Sequence, residues 1–125
     1  MKLIFYSQVL NKTTEQIKEF LKTLVPQHKF NYFQTPQQLS YRLSKPQVEQ
    51  TVLVFFAKDK EDLKNVISLR KLLQNLRNIL ILPDRKQETI RLGHQLYPRF
   101  LAFADDDFEI PTAVLRKMIK TQTLA

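Results

Sequence analysis

The sequence predicts a three-layer α/β sandwich around a five-stranded parallel sheet in the order 2-1-3-4-5. Three observations lead there. Five short apolar runs alternate with stretches at helical spacing, the third run is apolar without alternation, and 125 residues accommodate five β-α units in one domain spanning 1–125. Right-handed crossovers turn such an alternation into a parallel sheet with helices on both faces.

The first run, "KLIFYS", reads as a buried strand. "TTEQIKEFLKTLVP" follows with Ile17, Phe20, Leu21 and Leu24 on one helical face, a threonine in position to cap it, and Pro26 limiting it. "KFNYFQ" is the second strand, and "TPQQLSYRLSKP" a short helix with Thr35 as N-cap, Pro36 at its first position, and Leu39 and Leu43 four apart. "TVLVFFA" carries no polar face, which places it at the centre of a parallel sheet. "DKEDLKNVISLRKLLQNL" is expected to be one long helix, with acids in its first turn, where the helix dipole favours them. Its inward face holds Leu63, Val66, Ile67, Leu73 and Leu76. "NILIL" is the fourth strand, "KQETIRLGHQLYP" the fourth helix, "RFLAFA" the fifth strand, and "IPTAVLRKMIK" a last helix.

Composition narrows the function. The absence of cysteine removes disulfides, thiolate metal sites and thiol catalysis, and fits a reducing, cytoplasmic setting. No stretch approaches the ~20 apolar residues that span a bilayer, and the N-terminal apolar run turns polar too early for a signal peptide, so no membrane partner is expected. The net charge of +8 divides as 7 Lys/Arg against 3 Asp/Glu over residues 1–50, 9 against 5 over 51–91, and 4 against 4 over 92–125. Charge spread this way raises affinity for any polyanion but does not draw the concentrated stripe of a nucleic-acid interface. A small basic nucleic-acid-binding protein is therefore the alternative reading and not the favoured one.

Chemistry has few footholds. The single glycine, Gly93, falls inside a helical pattern, whereas dinucleotide fingerprints and P-loops need several glycines so that backbone amides can approach phosphate. His28 and His94 are far apart and have no ligand-spaced partner. No serine stands in a nucleophile elbow and no carboxylate pair is placed for glycoside chemistry. The expectation is no catalytic residue, no metal and no cofactor.

In open α/β sheets, ligands bind beyond the carboxyl ends of the strands near the switch in strand order. That rule selects Ser7 after the first strand, Lys58 and Asp59 after the third, Asp84 and Arg85 after the fourth, and Asp105 after the fifth as candidate pocket residues. Asp106 or Asp107 reads better as a cap for the last helix. Tyr41 and Tyr97 are not explained by strand packing and can anchor an interface.

The rhythm of the whole chain, and above all "NILILPDRKQETIRLGHQLYPRFLAFADDDFEIPTAVLRKMI", resembles the receiver domain of response regulators, a flavodoxin-like phosphoacceptor module. "FQTPQQLSYRLSK" is similar to that family's second strand and helix. The resemblance implies an acidic pair after the first strand, a phosphoacceptor aspartate ending the third, a hydroxyl residue after the fourth and a lysine ending the fifth. Here those places hold Ser7 and Gln8, Phe56 and Ala57, Pro83, and Phe103 and Ala104. Phosphoryl transfer to aspartate needs a cation and a lysine to offset the phosphoryl charge. The expectation is a degenerate receiver, not phosphorylated, that acts through a protein partner or self-association. The resemblance points to a last α/β/α face, with Tyr97, Arg99, Arg116, Lys117 and Lys120 as candidate contacts.

Overall fold

A computed structural model describes residues 2–45, 49–74, 76–104 and 116–117. Its strands are β1 (Lys2–Ser7), β2 (Phe30–Phe33), β3 (Thr51–Phe56), β4 (Arg77–Leu82) and β5 (Phe100–Phe103). Between them run α1 (Lys12–Lys22), α2 (Pro36–Leu43), α3 (Lys60–Ile67) and α4 (Gln87–His94). All pairings are parallel and the sheet order is β2-β1-β3-β4-β5, the arrangement of a flavodoxin-like α/β fold.

Period-two alternation along the strands divides the core between the two faces of the sheet. Ile4, Tyr6, Leu53, Phe55, Leu80 and Leu82 meet Leu39 and Leu43 of α2 and Leu63 and Val66 of α3 on one face. Leu3, Phe5, Val52, Val54, Phe56, Ile79 and Ile81 meet Ile17 and Leu21 of α1 on the other. Every residue of β3 is buried, as its uninterrupted apolar run requires at the centre of the sheet. α4 comes close to β4 at Gly93, where an added Cβ would stand 3.0 Å from a Leu80 methyl and 3.3 Å from a Leu82 methyl. The one glycine thus serves helix–sheet packing.

Two local expectations change. The cap of α1 is Asn11, whose Oδ1 accepts from Thr14 N–H at 2.9 Å while the Thr14 hydroxyl accepts from Asn11 N–H at 2.8 Å. Thr14 is therefore the inner half of a capping box and not the cap. The long helix expected through Leu76 stops at Ile67 and continues as successive i→i+3 turns, Leu69 N–H to Val66 O, Arg70 to Ile67, Leu72 to Leu69 and Leu73 to Arg70. These tighter turns still bury Leu73 and Leu76, which is why an apolar pattern alone reads as one helix. Thr35 and Pro36 start α2 as expected. Asp105, Asp106, Asp107 and Lys120 lie outside the described residues; Arg116 and Lys117 are helical.

Candidate functional site

The switch in strand order falls between β1 and β3, and three side chains converge at that point of the carboxyl edge. Tyr6 is next to last in β1, Gln8 follows it, and Asp62 reaches back from the first turn of α3. The Tyr6 hydroxyl donates to Asp62 Oδ1 at 3.1 Å and accepts from Gln8 Nε2 at 3.2 Å. Asp62 Oδ2 accepts from Lys58 N–H at 3.0 Å. Both anchors are inaccessible, Tyr6 at 0% and Asp62 at 1% exposure.

The order of residues along the chain explains this placement. Asp59 is the N-cap of α3 and accepts from Asp62 N–H at 2.8 Å, which fixes the first turn and points the third helical residue back at β1. The Tyr6 ring meets Phe55 edge-on, with centroids 5.1 Å apart, so its hydroxyl has a single direction available. Burial pushes the Asp62 carboxyl above its ordinary range, against the Lys58 N–H and Tyr6 hydroxyl bonds that favour its charged form. Burial likewise pushes the Tyr6 phenol up, with the charge of Asp62 adding to the effect. A raised carboxyl and a raised phenol that satisfy each other form a polar plug.

The other predicted pocket residues are each engaged locally. Ser7 is buried, its hydroxyl donating to Val9 O at 2.8 Å and accepting from Val9 N–H at 3.2 Å, a turn motif. Lys58 is exposed, its Nζ 3.9 Å from Asp59 Oδ2. Asp84 accepts from Lys86 N–H at 3.0 Å. The Thr89 hydroxyl beside Asp84, more than that N–H, holds its carboxyl below the usual range. That approach is looser than a full hydrogen bond, because the buried Thr89 Oγ1 has no partner at bonding geometry. The Arg85 guanidinium lies 4.2 Å from the centroid of the Phe103 ring. Ser7, Lys58, Asp59, Asp84 and Arg85 share one edge of the sheet, each engaged with the neighbours named above.

The expected interaction residues divide differently. Arg116 sits with its guanidinium 5.1 Å from the Phe20 ring centroid, against the α1 layer. Tyr97 and Arg99 precede β5 and stand at the opposite, amino edge of the sheet, where Arg99 N–H donates to Asn78 O at 2.8 Å. Tyr97 is 89% exposed, and its φ of 50° makes it the one non-glycine residue in the left-handed region among those described. Tyr41 is exposed as expected, with Lys45 Nζ 4.5 Å from its ring centroid.

Sequence reasoning missed Tyr6 and Asp62 as partners. The available signal was Asp59-x-x-Asp62, two acids at cap spacing, which the dipole explains without any long-range contact. It named Tyr97 but missed Arg70, Lys71 and Asn78, with which Tyr97 lines a groove of about 650 Å³ at the amino edge.

Compared with known proteins, the chain matches no family model, no curated protein and no solved structure at a significant level.

Proposed function

We propose that this chain is a receiver-like protein-interaction module that works without phosphorylation. The observation that carries the reading is the Tyr6–Asp62 contact: at the switch point of a sheet in receiver order, where phosphoryl chemistry would need an open acidic cluster, a phenol fills the space and ties up the nearest buried carboxylate. The neighbouring positions support it. Ser7 is closed into a turn, Ala57 is fully buried, and Pro83 stands where a hydroxyl side chain would hold the product. With the chemistry positions filled, the surface is what remains to carry function, and binding to another protein is the reading it fits best.

The test is incubation with acetyl phosphate and Mg²⁺ followed by intact-mass measurement. The expected result is an unchanged mass over hours. Addition of one phosphoryl group at Asp59, Asp62 or Asp105 overturns the reading, and steep salt-dependent retention on DNA at ~50 mM salt would replace it with the nucleic-acid alternative.

A further inference from the structure

The amino edge of the sheet carries a second, unassigned surface. The turns that follow α3, the start of β4 and the end of α4 enclose a groove of about 650 Å³, and a second hollow of about 600 Å³ between α3 and α4 shares Arg70, Lys71 and Gln95 with it. The shared residues join the two hollows into one trough, which can take an extended chain laid across both.

Three features of the trough specify an occupant. Its floor is apolar: Leu73, Leu76 and Leu96 line the first hollow and are themselves nearly buried. Its rim is cationic: Arg70 and Lys71 are exposed, and neither has an ion-pair partner among the described residues. Its wall holds an orphan acceptor. Asn78 is 5% exposed and donates from Nδ2 to Leu96 O at 3.0 Å, which fixes the orientation of the amide and leaves Oδ1 with no donor. A buried acceptor left unpaired is costly, and an occupant that shifts the wall enough to bring an N–H to this sealed atom removes that cost. Beside the groove stands Tyr97, its ring in solvent and its backbone held in the left-handed region. Strained residues of this kind concentrate at ligand clamps.

We infer that this trough binds a short acidic peptide segment of a partner protein in extended form. An apolar side chain of the segment enters over Leu73, Leu76 and Leu96, a backbone N–H donates to Asn78 Oδ1, flanking carboxylates pair with Arg70 and Lys71, and the Tyr97 ring covers the anchor. A nucleic acid would satisfy the two cations but leave the leucine floor unused. This inference rests on the reading of the protein as an interaction module and adds the class of partner and the place of contact.

The test uses the full chain and a short fluorescein-labelled peptide, capped at both ends, with leucine and phenylalanine at its centre and glutamate or aspartate elsewhere, followed by fluorescence anisotropy. Saturable binding is expected. It should weaken roughly tenfold or more when Arg70→Ala and Lys71→Ala are combined, and comparably in Tyr97→Asn, which tolerates the left-handed backbone but removes the ring. Replacing the two central apolar residues by serine should have a similar effect. Three results overturn the inference: no saturable binding, equal binding by the variants, or displacement by single-stranded DNA as effective as displacement by unlabelled peptide. Failure here in a chain that also takes no phosphoryl group removes the trough alone, whereas phosphoryl uptake removes the underlying reading whatever the peptide does.

Discussion

The two edges of the sheet handle buried polar groups in opposite ways. At the carboxyl edge, Tyr6, Gln8, Asp62 and the Lys58 amide satisfy one another. At the amino edge, among the described residues, Asn78 Oδ1 has no donor and Arg70 and Lys71 have no ion pair, beside an exposed, strained tyrosine. The first arrangement stabilises the fold, while the second leaves a hydrogen bond that a partner can supply. The difference teaches that a fold's customary ligand position can serve packing while the opposite edge keeps the features of a binding surface.

The comparison breaks most severely at Tyr6. Tyr6→Ala removes a buried ring from against Phe55 and takes away the hydroxyl donor to Asp62, and should cost about 3–5 kcal/mol of unfolding free energy. Tyr6→Phe keeps the ring and should cost about 1–3 kcal/mol, since Asp62 Oδ1 loses its donor inside the protein. Urea denaturation reads both, and equal stability of Tyr6→Phe and the parent chain would show that the plug contributes nothing.

A smaller effect concerns pH. The folded chain holds a proton on Asp62 more readily than the unfolded chain, because the folded-state carboxyl is raised by burial. The stabilisation from that proton is fully present below the ordinary carboxylate value, about 4, and is lost as pH rises through the raised folded value. Asp84 and Glu88 act in the reverse direction: held low by Thr89 and by Lys60 respectively, they add stability above the ordinary range that is lost as pH falls. Subtracting the urea midpoint of Asp62→Asn from that of the parent chain isolates Asp62. The difference should fall as pH rises from about 4 and then level off, and a flat difference would contradict the assignment.

The smallest effect sharpens the other edge. Tyr97→Gly relieves a left-handed strain of ~1–2 kcal/mol at a side chain that buries almost nothing, offset by ~0.5–1 kcal/mol for the freer unfolded chain. A net gain of roughly 0.5 kcal/mol is expected, with no gain in Tyr97→Ala, which keeps the Cβ. A loss of stability in Tyr97→Gly would mean that the ring supports the fold.

The sequence by itself determined the strands and most of the helices, because their signals are local. The unbroken run of β3, the Thr35-Pro36 start of α2 and the cap at Asp59 each need only neighbouring residues to be read. The end of α3 was not legible, since the turns of residues 68–74 bury Leu73 as a helix would. Tertiary structure decided both edges. Tyr6 and Asp62 are 56 residues apart and meet only because β1 and β3 are neighbours, which brings the start of α3 over β1. The Asn78 orphan exists only because Leu96 O, 18 residues further on, takes its amide nitrogen and no donor faces its oxygen. Hydrophobic periodicity and capping are written in steps of a few residues, but whether a buried polar atom finds its partner depends on which distant segments the sheet order brings together.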